Sequence, residues 1–97
     1  MKFLIVAKPG GAPLAPEKAF ETYQAAQAYG NKFLEDGTHD CSYAFFGGGG
    51  MAITNADSAD DVYKNLIKYP MFPNFQWEVK PLLDWNKTFN SILDTFK

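Results

Sequence analysis

The chain has one cysteine, one histidine and no run of basic residues, and each scarcity removes a class of protein. Cys41 alone cannot form an intrachain disulfide, and without a cysteine pair a structural zinc site is not expected. A single free thiol suits a reducing compartment, so the expectation is a cytoplasmic protein. His39 stands among scattered acids with no His-x-x-x-His or Glu-x-x-His spacing, so no metal is expected either. Nine basic and eleven acidic residues give a net charge of −2 and are spread along the chain. That leaves no electrostatic footprint for nucleic acid. No apolar stretch approaches the length of a membrane span. Five apolar residues after Lys2 are too few for the core of a signal peptide. A soluble protein with no nucleic-acid or membrane partner follows. Internal repeats are missing too, and the low-complexity sequence amounts to Gly47 to Gly50.

What is present is aromatic. Nine Phe, five Tyr and two Trp lie in 97 residues that are 46% apolar. This suffices for one core and suggests a single domain spanning residues 1–97. It also leaves more large apolar side chains than a small monomer easily hides, so some should line a pocket or an interface.

Residues 3–7 are continuously apolar and read as a strand buried on both faces, stopped by Lys8-Pro-Gly-Gly. Pro16-Glu17 opens a helix to about residue 35, and Gly37 ends it as a left-handed cap. Helical spacing groups Phe20, Tyr23, Gln27, Gly30 and Leu34, flanked by Ala19, Ala26 and Phe33. Gly30 costs that helix about 1 kcal/mol relative to Ala, a cost that close backbone packing would explain. Residues 38–46 form a second strand, the glycines a hairpin connection, and residues 51–54 a third strand. Ser58 with Asp61 marks the start of a second helix, striped by Val62, Leu66 and Ile67 and ended before Pro70. Phe75, Trp77 and Val79 alternate with Gln76, Glu78 and Lys80 in a fourth strand over residues 75–82. Asp84 caps a tail helix carrying Trp85, Phe89, Ile92, Leu93 and Phe96 on one side. The order β-α-β-β-α-β plus a C-terminal helix predicts an α+β, ferredoxin-like fold with a four-stranded antiparallel sheet. Two helices cover one face of that sheet. The other face needs a cover, for which a second copy is the simplest candidate.

Gly37-Thr38, a strand, a glycine turn, a short strand and a helix lead into Tyr69-Pro-Met-Phe-Pro-Asn-Phe-Gln-Trp-Glu-Val-Lys-Pro-Leu82. This run resembles the muconolactone isomerase family, through Pro70, Phe72, Pro73, Glu78, Val79 and Leu82. The likeness in element order covers residues 1 to about 83. It implies a dimeric α+β barrel, and in some members larger rings of dimers. It also implies a cofactor-free proton shift on a small lactone, in a pocket between sheet and helices. Two departures bear on activity. His39-Asp-Cys-Ser-Tyr-Ala44 replaces a segment in which the family carries arginines, and the acid of the family's first helix falls here at Ala26 or Gln27.

His39 titrates near neutrality when unperturbed, so it is the candidate acid or base, as opposed to a histidine that bonds the backbone or points to water. Strand alternation puts Cys41 and Tyr43 on its face, with Tyr43 as a hydrogen-bond donor and Cys41 at the pocket edge. Cys41 also reads as an ordinary small buried side chain. Phe20 and Tyr23 face the sheet by spacing, as core or as pocket wall. Gly47 to Gly50 lacks the following helix that a phosphate loop requires, and reads as a hairpin at a pocket rim. The expected function is binding of a small apolar or oxygenated ring compound, with a possible cofactor-free isomerisation. The alternatives are a non-catalytic ligand-binding or assembly protein on the same scaffold and a cofactor-independent oxygenase. Haem ligation by His39 is a more remote fourth.

Overall fold

A computed structural model describes residues 1–97. The elements are β1 (Lys2–Pro9), a 3-10 turn (Pro16–Lys18), α1 (Ala19–Glu35), β2 (His39–Ala44) and β3 (Gly50–Asn55). They continue with α2 (Ala59–Leu66), a second 3-10 turn (Phe72–Asn74), β4 (Phe75–Leu82) and α3 (Trp85–Asp94). The sheet order is β2-β3-β1-β4, and every pairing is antiparallel. Each strand–helix–strand unit leaves room for one strand between its own two, as a ferredoxin-like fold requires.

Local chemistry explains most boundaries. The Ser58 hydroxyl accepts from the Asp61 amide at 3.3 Å, and Asp60 and Asp61 place negative charge in the first turn of α2. Both features satisfy or complement the free amides of a helix start. Asp84 does the same for α3, accepting from Lys87 N at 2.9 Å. Beyond α1, Gly37 takes φ +81°, the left-handed conformation that a helix stop of this kind needs. The loop after β1 lies flat on the entry to β4: Ala12 N donates to the Pro73 carbonyl at 2.8 Å. A Cβ at Gly11 would stand 2.3 Å from the Asn74 carbonyl carbon, so only glycine permits that approach.

Phe3 and Ile5 of β1 pack against Val62 and Leu66 of α2, with Phe72, Trp77 and Val79 around them. Register places Phe3, Ile5 and Ala7 beside Thr54, Ala52 and Gly50 of β3 and beside Pro81, Val79 and Trp77 of β4. That set forms the face under the helices. Leu4 and Val6 lie on the other face, with Met51, Ile53 and Leu82, and are only half-buried. The apolar run of β1 is therefore covered on one side within a single chain, not on both as its composition suggests.

A second correction concerns α1. Its buried side chains are Ala26 and Phe33, with Ala19, Thr22 and Tyr29 half-buried along the same side. Phe20 is 77% exposed and Tyr23 59% exposed, so neither belongs to the core. The helix carries two apolar stripes, and the one with Ala26, Tyr29 and Phe33 faces inward, its Phe33 ring against His39. Gly30 packs against nothing: a Cβ there would meet no atom within 4 Å. Gly30→Ala is expected to stabilise the chain by about 0.5–1 kcal/mol, read from the urea midpoint at constant m. A destabilised variant would show that the glycine is needed for something outside the single chain.

Candidate functional site

Under the helices, rings follow one another across the sheet. His39 on β2 stacks obliquely on Phe33 of α1 with centroids 5.1 Å apart, and Phe33 meets Tyr29 edge-on at 5.0 Å. Tyr29 lies 5.9 Å from Tyr69, and Tyr69 stands perpendicular to Trp77 at 5.6 Å. Trp77 is in turn stacked with Phe72 at 6.1 Å and edge-on to Phe75 at 5.8 Å. Edge-to-face and offset pairs at these distances are mutually favourable, so the series is a rigid apolar seam.

Its polar atoms are few and individually placed. Trp77 Nε1 donates to the Phe72 carbonyl at 2.8 Å, which fixes the indole plane. The Tyr29 hydroxyl donates to the Asn65 carbonyl and ties α1 to α2. The hydroxyl of Tyr69 has no such partner. Burial raises its pKa above 10, and the neighbouring Tyr23 adds to the rise. It therefore stays protonated at neutral pH, as a donor set among aromatic faces. Tyr23 forms the outer lip beside it.

At the opposite end, His39 Nδ1 is buried without a hydrogen-bond partner. Burial lowers the imidazole pKa below 6.5, opposed in part by the Asp36 carboxylate. Asp36 is itself held low, first by its hydrogen bonding to Thr38. His39 is thus neutral at pH 7, with an unused acceptor or donor position facing the protein interior.

The structure separates residues that strand alternation had grouped. β2 contains a bulge between His39 and Cys41. His39 pairs with Thr54, on the helix side, whereas Cys41 pairs with Ile53 and Tyr43 with Met51, on the open side. One extra residue inverts the phase of everything beyond it. Within one chain His39 and Tyr43 cannot serve the same pocket, and Cys41 is not at its edge. Tyr43 is 70% exposed on the open face. Of the five sequence candidates, His39 and Tyr23 belong to the ring series or its lip. Phe20 lies one helical turn from Tyr23 and exposed, while Cys41 and Tyr43 lie across the sheet. Tyr69 and Trp77 were missed. Their signal was the aromatic pair made of the first residue of the Tyr-Pro-Met-Phe-Pro segment and Trp77 just beyond it, a stretch that reads as a strand entry until the fold turns both rings inward.

Two charged clusters mark the open face. Glu78 is bridged by Lys8 at 2.6 Å and Lys80 at 2.8 Å, and its pKa falls to about 2 chiefly through the Lys8 hydrogen bond. Lys2 binds Asp40 at 2.5 Å while Asn55 donates to the same carboxylate at 2.8 Å. Between them lie Leu4, Val6, Met51 and Ile53. No group of three His, Cys, Asp or Glu side chains converges as a metal site would require. No helix is long and apolar enough to cross a membrane. All nine basic residues are lysines, so the chain holds no guanidinium for a carboxylate.

No protein-family model matches the chain, and no curated protein matches it either. Solved structures do. A muconolactone isomerase superposes with a TM-score of 0.75 at 19% identity, over 87% of this chain and 90% of that one. A 5-chloro-2-hydroxyhydroquinone dehydrochlorinase from Burkholderia phenoliruptrix, in complex with 2,5-dihydroxybenzoquinone, superposes with a TM-score of 0.71 at 20% identity, over 90% and 98%. The chain has the muconolactone isomerase fold: α+β, β-α-β-β-α-β-α, with a four-stranded antiparallel sheet.

The lowered pKa of His39 fixes the sign of a pH effect. A group that binds its proton less readily when folded contributes stability above pH 6.5, and that contribution is lost as pH falls below it. The urea midpoint should drop between pH 7.5 and 5, and His39→Gln should flatten part of that drop. A His39 Cε1 resonance titrating above 6.5 would contradict the burial argument.

Proposed function

We propose that the protein is a homodimer that binds a small oxygenated ring compound at the Tyr23–Tyr69–Trp77 end of the ring series and moves a proton without a cofactor. The observation that carries the binding half is a phenol donor without a partner, held protonated between aromatic faces. A flat ring gains stacking there, and its oxygen accepts the one free hydrogen bond. A quinone bound by a protein of the same fold supports that ligand class.

His39 supplies the proton-transfer half. Its neutral form is a base at physiological pH, and its unpartnered Nδ1 gives a ligand hydrogen somewhere to go. Phe33 and Tyr29 stand between it and Tyr69, so a small ring held at Tyr69 does not reach His39, and proton transfer requires the ligand to pass inward between those rings. The second reading, a non-catalytic binding protein, is favoured by Ala26 and Gln27 on α1, where no acid stands, and by the lack of arginine. Tyr43 enters neither scheme, because it lies on the open face, across the sheet from the ring series, and pairing the open faces keeps it there.

Dimerisation through that face is supported by its half-buried Leu4, Val6, Met51 and Ile53 and by the charged clusters at its margins. Rings of dimers remain compatible with it. The lone thiol favours a reducing, cytoplasmic setting. Sedimentation equilibrium is expected to give a dimer at micromolar concentration, and Ile53→Asp a folded monomer by circular dichroism. A wild-type monomer there would sink the pairing.

Ligand binding is read from quenching of Trp77 emission by 2,5-dihydroxybenzoquinone in a Trp85→Phe background. Tyr69→Phe should weaken it roughly 10-fold, about the worth of one hydrogen bond. Equal affinity would remove Tyr69 from the site. On any lactone the protein turns over, His39→Gln should abolish turnover and keep binding. Binding without wild-type turnover decides for the second reading.

A further inference from the structure

Tyr29 stands in the middle of the ring series and is its only member bonded to the opposing helix. Its ring meets Phe33 edge-on at 5.0 Å and lies 5.9 Å from Tyr69. Its hydroxyl donates to the Asn65 carbonyl in the last turn of α2, and burial raises the phenol pKa above 10, so it is a donor at neutral pH. The final carbonyls of a helix have no partner within it. The Tyr69 amide, four residues beyond Asn65, turns to Leu66 instead. The phenol of α1 is therefore what satisfies Asn65.

The same ring fills the route inward. Rings in edge contact leave no slot for a third, because carbon atoms need ~3.5–4 Å between them. A compound held at Tyr69 moves toward Phe33 and His39 only by taking the place of Tyr29. Phe33 is the poorer candidate to yield: it is 9% exposed and pressed between Tyr29 and His39. Tyr29 is only half-buried. Gly30 follows it, with open space where a Cβ would stand, and a glycine softens the helix at that turn. One neutral hydrogen bond holds the ring in, and water can replace it at both ends once the ring turns outward.

We infer that Tyr29 is the gate of the ring-lined site: its side chain occupies the inner position that a ligand needs, and swings outward on breaking its bond to Asn65 to open the way to His39. The inference rests on the proposed binding at Tyr69 and adds the residue that controls depth. Tyr29 is a positioning residue, since it governs access to His39 and takes no proton itself. With its ring out, Phe33 loses the contact along its edge and can tilt toward the incoming compound. A position that is open only part of the time binds more weakly by that fraction. Removing the tether raises the fraction, and removing the ring makes it one.

The test uses the full-length protein in the Trp85→Phe background, alone and with Tyr29→Phe or Tyr29→Ala, and 2,5-dihydroxybenzoquinone as the probe. Affinity at the lip is read from quenching of Trp77. Affinity at depth is read from the His39 Cε1 resonance, which the Phe33 ring shields and which a ring arriving there displaces. Depth is taken relative to lip in each protein, so a change at Tyr69 cancels. Tyr29→Phe keeps the ring and loses the tether, and should raise the relative depth affinity roughly 5–10-fold, the worth of one hydrogen bond. Tyr29→Ala should raise it further. In addition 4-methylphenol, the detached Tyr29 side chain, should raise the urea midpoint of Tyr29→Ala more than that of the parent.

Equal relative affinities in all three proteins would overturn the gate and leave the lip site standing. A His39 resonance unmoved by the quinone in Tyr29→Ala would overturn it too, because the ring was then not what kept the probe out. Lower urea midpoints in the variants, with no gain at His39 and no response to 4-methylphenol, would leave Tyr29 as a tie between two helices. Absence of Trp77 quenching in all three would remove the site itself, and the gate with it.

Discussion

The contact between Val62 and Leu66 of α2 and Phe3 and Ile5 of β1 is the one on which the rest of the molecule depends. β1 is an inner strand of the sheet, paired to β3 on one side and β4 on the other. Docking α2 on it fixes where the Tyr69–Pro73 segment turns back, and so where Trp77 and Tyr69 meet. The contact is also nearly all the core there is: eight apolar residues and Thr54 are buried in the whole chain. A body with so little interior holds its shape partly through the aromatic seam, whose rings are pinned at Trp77 by a carbonyl and at Tyr29 by the backbone of the opposing helix.

The same scarcity explains why so much apolar surface faces outward. One sheet face, one stripe of α1 and the whole of α3 present large side chains to water. A soluble monomer exposes apolar atoms too, but not as three continuous patches on one small body. Salt-bridged lysines border the sheet face at Glu78 and Asp40, arranged as a rim around an apolar centre. The edge strands β2 and β4 stay open, and the charges near them discourage indiscriminate strand pairing.

The architecture was readable because each signal was local. Pro70 and Pro73, the Ser58 and Asp84 caps, Gly37 and the alternation of Phe75, Trp77 and Val79 act within a few residues of themselves. The fold order follows from them directly. The site was only partly readable, since its determinants are not local. Nothing around His39 announces a bulge: the extra residue is set by how Asp40 reaches Lys2 and Asn55 across the sheet. On α1 both stripes look like core, and only the tertiary contacts, with Phe33 against His39 and the Tyr29 hydroxyl on the backbone of α2, select the Ala26–Phe33 stripe. Tyr69 and Trp77 lie in a segment whose prolines dominate its local reading, so their meeting could not be inferred from spacing.

The bulge at Asp40 has a consequence for how this scaffold can change. In a regular strand, exchanging the two faces requires many substitutions. Here the halves of β2 are out of phase by a single residue, so a one-residue slip of β2 against β3 that absorbed the bulge, pairing Asp40 with Ile53, would bring the Cys41 and Tyr43 positions under the helices in one step. The edge position of the strand makes such a slip tolerable, because only β3 has to accept the new register. A lineage carrying this fold could thus gain or lose a thiol and a phenol at the buried ring series without altering any other strand.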